Sequence, residues 1–272
     1  MSTNDSITLR PEGRLLIAVL NRPPDNLIDR ALAFALRDLC ASLREDSPFD
    51  ALIVTGVDQA KDGPSGDTAA FSRGASRSFL TESAEAASGH VAQALFDSYR
   101  CASAVASLPF PVIAAINGDA YDQGLELALA ADIRVAAETA QFRMGQALQG
   151  LIPWDGGTQR LPRIVGPAHA TDLLLTGRTI GAEEALGMGL VNRVAPPVDV
   201  LTTAQEIAAQ ILAGGPIAAR YAKEVISTGS EMTLDQGILL ETDLTMILQT
   251  TKDREEGIQS FLERRDPEFR GE

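Results

Sequence analysis

The sequence contains few of the residues on which several classes of protein depend. Only two cysteines occur in 272 residues, Cys40 and Cys101, and they form no C-x-x-C pair. Neither a zinc site nor a disulfide framework is therefore predicted, and both cysteines are expected to be reduced and to fill apolar space. The chain also lacks any run of about 18 apolar residues, which excludes a membrane-spanning helix.

Positive charge is scarce as well. The 23 Lys and Arg residues are outnumbered by 37 Asp and Glu residues, which gives a net charge of −14. Such a chain is a poor electrostatic match for a nucleic-acid backbone or an anionic membrane, so we expect neither as a partner. The first residues carry no basic segment followed by an apolar run, which predicts a soluble, cytoplasmic protein. A polyanionic ligand would need a local cluster of basic residues.

Common catalytic signatures are missing too. The sequence has no G-x-x-x-x-G-K-[ST] phosphate loop, no strand-linked G-x-G-x-x-G, no G-x-S-x-G and no H-E-x-x-H. The only histidines, His90 and His169, have no matched serine or cysteine partner. A solvated or capping role is the stronger interpretation for each of them.

What is present is a globular composition, with 45% hydrophobic residues and apolar segments of alternating type. A strand pair is predicted over 5–20, a helix capped by Asp29, and a buried strand at ALIVTG, which together form a βαβ unit. A polar loop over 57–69 and a helix over 83–106 follow. The predicted class is α/β, with strands and helices in residues 1–200 and only helices in residues 201–272.

Several long segments then occur in a characteristic order, and the chain resembles the enoyl-CoA hydratase/isomerase (crotonase) superfamily in them. The segments are LNRPPDNLIDRAL, FSRGAS at 71–76, PVIAAINGDAYDQGLELALAADIRVAAETAQF at 111–142, GLIPWDGGTQRLPRIVG, LLLTGRTIGAEEALGMGLVNRV and FLERRDPEF. The resemblance implies a spiral of ββα and βαβ units, a helical C-terminal region that forms a homotrimer or a dimer of trimers, and an acyl-CoA thioester substrate. It implies no metal or redox cofactor.

The resemblance also implies an oxyanion hole. A thioester enolate carries negative charge on its carbonyl oxygen, so catalysis requires N–H donors fixed where that charge develops. By position, the donors are the backbone N–H groups of Ala75, which follows Gly74, and of Gln123, which precedes Gly124. The alternative is that the two glycines only satisfy turn geometry.

The acid/base residues depart from the family pattern. Glu126 matches the first of the two glutamates that the family commonly uses, with structural ion pairing as the alternative role. The second glutamate is replaced by Gln146, whose amide can orient a group but cannot exchange a proton at neutral pH. Asp122, in a turn that is usually Gly-Gly-Gly, and Asp155 are candidates for the missing carboxylate, and Asp155 is alternatively a turn residue before Gly-Gly.

Substrate binding is expected to involve the few basic residues. Arg22, Arg73 and Arg77 lie in segments that hold the nucleotide end in family members, and guanidinium groups suit phosphate geometry. Trp154 is expected to shape the acyl pocket or the core. A second basic cluster in the C-terminal region is either a ligand-binding group or a set of solvated helix charges; its members are Lys252, Arg264 and Arg265.

The sequence therefore predicts an enoyl-CoA hydratase-like lyase that stabilises a thioester enolate. The replacement of the second glutamate leaves two alternatives open. One is a double-bond isomerase or a C–C hydrolase acting on a CoA thioester, and the other is an acyl-CoA-binding protein without turnover. The acyl group is not specified by any spacing in the sequence.

Overall fold

Two β-sheets form the framework of the computed structural model, which describes residues 5–57, 70–85 and 89–272. The first sheet has six strands in the order β1-β2-β3-β5-β7-β10, and the second has four in the order β4-β6-β8-β9. The strands are β1 (Ile7–Glu12), β2 (Leu15–Leu20), β3 (Ala51–Gly56), β4 (Ala70–Ser72), β5 (Val112–Ile116), β6 (Asp119–Tyr121), β7 (Ile133–Ala137), β8 (Gln141–Arg143), β9 (Ile180–Gly181) and β10 (Arg193–Ala195).

The central strands are parallel and buried on both faces. Every residue of β2, β3 and β5 is buried, and β2 pairs with β3, and β3 with β5, in parallel register. Short apolar runs such as LLIAVL and ALIVTG suit this position because helices cover both faces of a parallel sheet. The predicted α/β class is confirmed.

Helices connect and follow the strands. Helix α1 begins where the sequence predicted, since Asp29 Oδ1 accepts a hydrogen bond of 2.7 Å from the backbone N–H of Leu32. The helices are α1 (Arg30–Glu45), α2 (Arg77–Glu85), α3 (Gly89–Tyr99), α4 (Ala102–Ala106), α5 (Gln123–Leu129), α6 (Gly157–Thr176), α7 (Ala182–Gly187), α8 (Val200–Leu212), α9 (Pro216–Gly229), α10 (Leu234–Leu248) and α11 (Lys252–Glu263).

The chain separates into two compact units. One comprises residues 1–108 and 112–205, and the other comprises residues 109–111 and 206–272. The division falls inside α8, and the described elements beyond it are helices only, as predicted. Within the described residues, no helix combines the length and apolar character needed to cross a membrane.

The single helix predicted over 83–106 is wrong. In the described residues, α2 ends at Glu85, α3 ends at Tyr99 and α4 begins at Ala102. Apolar periodicity continues across the break between α3 and α4, so the pattern alone does not reveal it. The predicted loop over 57–69 lies, except for Val57, outside the described residues.

Two smaller predictions are confirmed. Cys40 and Cys101 are buried and form no disulfide within the described residues, and burial raises the pKa of the Cys101 thiol well above its usual value. His90 and His169 are both exposed.

Candidate active site

Glu126 lies in α5, a helix whose seven residues are all buried. Its side chain is fully shielded from solvent, and Oε1 accepts hydrogen bonds of 2.8 Å from the backbone N–H groups of Asp155 and Gly157. Burial raises the pKa of Glu126 to about 7 although these N–H groups lower it, and the charge of Asp155 adds to the rise. The carboxyl group can therefore both accept and donate a proton near neutral pH.

Gly157 allows this close approach. A Cβ atom at residue 157 would lie 3.1 Å from Cγ of Glu126 and 2.7 Å from Cβ of Pro153. Only a residue without a side chain fits between the start of α6 and the carboxylate without displacing its neighbours. The second glycine of the sequence WDGG is thus part of the site.

The candidate oxyanion donors come together at the start of α5. Gly74 has a φ of +98°, and a Cβ atom on it would lie 3.1 Å from Cβ of Asp122 and 3.6 Å from the backbone N of Gln123. Ile28 fixes the loop, because its N–H donates to Gly74 O at 2.8 Å and its carbonyl accepts from Ser76 N at 2.9 Å. Among the described residues, the N–H groups of Ala75 and Gln123 have no hydrogen-bond partner.

Gly124 brings α5 against the end of β4. A Cβ atom at residue 124 would lie 2.1 Å from the carbonyl oxygen of Ser72 and 2.8 Å from its Cβ. No side chain fits at that distance, so this glycine is required for the approach of the helix to the strand. It sets the position of Gln123 relative to the loop of Ala75.

Gln146 lies beside the carboxylate. It begins a short 3₁₀ helix, Gln146–Gln149, is 3% exposed, and its Nε2 lies 3.4 Å from Oε2 of Glu126. Its Oε1 is buried and has no hydrogen-bond partner in the described parts of the chain. A buried acceptor without a partner is costly, which indicates a group that binds something else in the working site.

Asp122 does not supply a second free carboxylate. Its Oδ1 accepts a hydrogen bond of 2.6 Å from the N–H of Gly145, and its Oδ2 lies 3.4 Å from Arg143. The residue adopts a φ of +51°, a conformation that costs a non-glycine residue on the order of 1–3 kcal/mol. These contacts connect the start of α5 with the loop that carries Gln146, which makes Asp122 a structural tie.

Asp155 caps a helix. Its Oδ2 accepts hydrogen bonds of 2.6 Å from the N–H groups of Cys101 and Ala102, and its Oδ1 accepts from N and Oγ of Ser103 at 3.1 and 2.7 Å. Both oxygens satisfy donors at the start of α4, so the carboxylate is engaged in the fold. The interpretation of Asp155 as a second acid/base group does not fit this geometry, whereas its backbone N–H does serve the site.

Trp154 belongs to an aromatic cluster beside the candidate oxyanion hole. Its ring stacks on Phe79 at 4.5 Å and meets Phe96 edge-on at 5.4 Å. Ala75 packs against the same cluster, which also contains Tyr99. The sequence alone does not identify Phe79, Phe96 or Tyr99 as site residues, because their apolar spacing is also that of ordinary core helices.

Two of the three candidate phosphate-binding arginines are paired with carboxylates. Arg73 contacts Asp25 at 2.8 Å and Asp119 at 3.0 Å, and Nε of Arg22 lies 3.2 Å from Asp29. Arg77 is exposed at the start of α2, and no ion pair joins it to another described residue. Of the three, Arg77 is the guanidinium available to a ligand in the described parts of the chain.

The basic cluster of the second unit is also largely neutralised. Lys252 pairs with Glu272, and Arg265 pairs with Glu256 and Glu263. Arg264 ends α11 with a φ of +56° and is exposed. The interpretation of these residues as helix-surface charges accounts for Lys252 and Arg265.

Helix α5 carries a buried carboxylate with a pKa near 7 and begins at Gln123, beside the loop of Gly74 and Ala75. Together with two backbone N–H groups that have no partner among the described residues, this carboxylate has the elements of an acid/base site that stabilises an enolate. Comparison with known proteins agrees. The enoyl-CoA hydratase/isomerase family model matches residues 12–272, and the chain belongs to this family.

The similarity to known relatives extends over nearly the whole chain. The chain is 35% identical to the crotonyl-CoA hydratase of Syntrophomonas wolfei, over 97% of this chain and 98% of that protein. It is also 35% identical to the carnitinyl-CoA dehydratase of Salmonella arizonae, over 98% and 99% of the two chains. The crystal structure of an enoyl-CoA hydratase from Bacillus anthracis superposes with a TM-score of 0.87 at 37% identity, covering 98% of this chain and all of that one, and the predicted crotonase-type fold is confirmed.

The raised pKa of Glu126 predicts an unusual dependence of stability on pH. The folded protein holds this proton up to about pH 7, whereas an unfolded chain releases it near pH 4. The folded state therefore binds more protons between these values, and the free energy of unfolding falls as the pH rises through them. We expect Glu126→Gln to remove up to about 3 kcal/mol of this decrease between pH 5 and pH 8.

Chemical unfolding of both proteins at the two pH values and at one protein concentration measures the effect. The exposed Glu138→Gln variant serves as the control and should follow the unaltered protein. If the free energy of unfolding changes with pH by the same amount in Glu126→Gln and in the unaltered protein, the raised pKa of Glu126 is contradicted.

Proposed function

We propose that this protein is an enoyl-CoA hydratase-like lyase that adds water to, or removes it from, an enoyl-CoA thioester. The observation that carries the proposal is the fully buried Glu126, with its pKa of about 7, in the helix that begins at Gln123. Among the described residues, the N–H groups of Gln123 and Ala75 have no hydrogen-bond partner. Family membership supports acyl-CoA chemistry, and relatives named as a hydratase and a dehydratase support this direction.

The proposed reaction uses Glu126 twice. Its carboxylate accepts a proton from water while the water oxygen bonds to Cβ of the enoyl group, and the electron pair of the double bond moves to the thioester oxygen. The N–H groups of Ala75 and Gln123 stabilise the resulting enolate. Protonated Glu126 then returns the proton to Cα, which completes the addition of water and restores the carboxylate.

Gln146 is proposed to orient the water. Its amide cannot exchange a proton at neutral pH, but its buried and unpartnered Oε1 can accept the second hydrogen of a water that donates its first to Glu126. Asp122 and Asp155 are not assigned an acid/base role, because their oxygens are engaged by Gly145 and by the start of α4. This scheme requires no metal or redox cofactor.

Isomerisation is the second candidate, and the single proton-exchanging group favours it. Moving a double bond needs one base that takes a proton from one carbon and returns it to another, together with the same enolate stabilisation. Hydrolytic C–C cleavage would need an activated water as well as the enolate site. Binding of an acyl-CoA without turnover is the remaining alternative.

Two binding properties accompany the proposal. Arg77 is proposed to contact a CoA phosphate, since it is exposed and the nearby Arg73 is held by Asp25 and Asp119.

The helical unit is proposed to join a homotrimer or a dimer of trimers. It exposes large apolar side chains, with Leu234 79% and Phe261 82% exposed, and large exposed apolar patches mark interaction surfaces.

Glu126→Gln tests the proposed acid/base role. We expect kcat to fall by about 10²–10⁴-fold with little change in KM, because only the proton-exchanging group is lost. Single turnover with crotonyl-CoA and with a 3-enoyl-CoA in deuterated water identifies the reaction of the unaltered protein. Hydrated product supports the lyase, and shifted unsaturation without water addition supports the isomerase.

The exposed Glu138→Gln variant should retain full activity. Unchanged turnover in Glu126→Gln would overturn the role of this residue. Tight binding of both substrates without solvent exchange in the unaltered protein would overturn both enzymatic functions.

Gln146→Glu tests whether the rest of the site is shaped for hydration. Restoring the second carboxylate supplies a further proton-exchanging group, and we expect hydration of crotonyl-CoA to rise by about tenfold or more. Gln146→Ala should lower the rate, since it removes the proposed water acceptor. No gain in Gln146→Glu, measured over a range of pH because two adjacent carboxylates shift each other's pKa, would count against a hydratase-shaped site.

The proposed assembly predicts a molar mass of three or six chains by light scattering. A charged substitution at a strongly exposed apolar position, Leu234→Asp or Phe261→Asp, should lower that mass. Glu241→Lys, at an exposed polar position of the same unit, is the control. A monomeric mass for the unaltered protein would contradict the assembly.

A further inference from the structure

Tyr99 contacts both sides of the candidate oxyanion hole. It is the last residue of α3, is 1% exposed, and its ring meets Phe79 edge-on at 4.8 Å and 67°. The chain continues from it into the segment 101–103, which Asp155 holds through four hydrogen bonds. Tyr99 is therefore fixed by packing on one side and by its neighbours in sequence on the other.

The carbonyl group of Tyr99 binds the side chain of Gln123, one of the two candidate oxyanion residues. It accepts a hydrogen bond from Nε2 of Gln123, whose own side chain is fully buried. The family turn that Asp122 begins is usually Gly-Gly-Gly, which places a glycine at residue 123, and a glycine cannot make this contact. The side chain thus adds a connection between the start of α5 and the end of α3 that the usual turn lacks.

The phenol group of Tyr99 lies on the side of Ala75, the other candidate oxyanion residue. Its oxygen lies 3.3 Å from Oγ of Ser78, which lies 2.7 Å from Oγ of Ser76. Ser76 directly follows Ala75 and is anchored by its N–H to Ile28 at 2.9 Å. A chain of hydroxyl groups therefore connects Tyr99 with the residue next to the Ala75 N–H.

The Gln123 amide makes only part of its possible hydrogen bonds. Its Oε1 is buried and has no partner among the described residues, and an unsatisfied buried acceptor is destabilising. A smaller residue at this position would leave no buried acceptor unsatisfied. The hydrogen bond from Nε2 to the Tyr99 carbonyl is therefore the contact that glutamine makes and a smaller residue does not. That contact fixes where the backbone N–H of the same residue points.

We infer that Tyr99 is a positioning residue that fixes the two oxyanion N–H groups relative to each other, through the Gln123 side chain and through the Ser78–Ser76 hydroxyl groups. The inference rests on the proposed function, because it concerns the same enolate site. Its consequence is catalytic, since an oxyanion hole stabilises charge only when its donors are already in place. A small displacement of a donor can cost a large part of the rate.

Two variants separate the two connections. Gln123→Met keeps the size of the side chain and the backbone N–H but removes the donor to Tyr99. Tyr99→Phe keeps the ring packing and the carbonyl but removes the link to Ser78. Ser98→Ala is the matched control on α3, because Ser98 Oγ donates only to Leu95 O of its own helix.

Acetoacetyl-CoA is the probe, because its enolate absorbs in the near ultraviolet and reports directly on oxyanion stabilisation. We expect Gln123→Met to lower both the bound enolate signal and kcat by about 10–100-fold, and Tyr99→Phe by about 3–10-fold, with KM for the enoyl-CoA nearly unchanged. Ser98→Ala should match the unaltered protein in all three quantities.

Folded variants with an unchanged enolate signal would overturn the inference, whatever happens to their stability. If Gln123→Met fails to fold, Tyr99→Phe alone decides, since it removes one oxygen atom and leaves the packing intact. Absence of any enolate signal in the unaltered protein would overturn the proposed oxyanion site, and this inference with it. A signal that is present in the unaltered protein and retained in both variants would overturn the inference alone.

Discussion

The pair of hydrogen bonds from the backbone of Asp155 and Gly157 to the buried carboxylate of Glu126 is the contact on which the rest of the site depends. A carboxyl group in apolar surroundings loses its hydration, and only nearby donors make its charged form accessible. The two N–H groups supply enough compensation to leave the pKa of Glu126 near 7 rather than higher. The position of that short segment of chain therefore decides whether the carboxyl group can exchange a proton at all.

Several features of the structure serve to hold that segment. Asp155 uses its side chain to cap α4 and its N–H to bind Glu126, so one residue connects the buried carboxyl group with the start of α4. Because Gly157 has no side chain, the start of α6 can lie close to the carboxyl group of Glu126. Asp122 and Gln123, which replace two glycines of the family turn, make side-chain contacts with two different segments, one to Gly145 and one to Tyr99. The altered turn thus gains fixed contacts where glycines would leave freedom.

The sequence predicted the elements whose signals are local. Asp29 caps α1 and ALIVTG forms a buried strand because capping and apolar runs involve residues close in the chain. It also predicted that Glu126 lies in the first turn of a helix, which is α5; the catalytic role of Glu126 stays a prediction. It did not predict the cap of α4, because Asp155 and Cys101 are 54 positions apart and no pattern in the sequence joins them. For the same reason the sequence alone presents Asp155 as a catalytic candidate, whereas the structure shows that its side chain caps α4.

The basic residues are a further case in which partners distant in sequence decide the role. Arg73 lies in the predicted segment, yet it pairs with Asp119, 46 positions away, whose side chain is 7% exposed. Moving Arg73 to a phosphate would leave a largely buried carboxylate without its partner, which costs more than an exposed ion pair returns. An excess of 37 acidic over 23 basic residues makes such pairing common. The proposed binding of a phosphate by this segment therefore depends on Arg77, an exposed guanidinium whose attraction to an anion weakens as salt concentration rises.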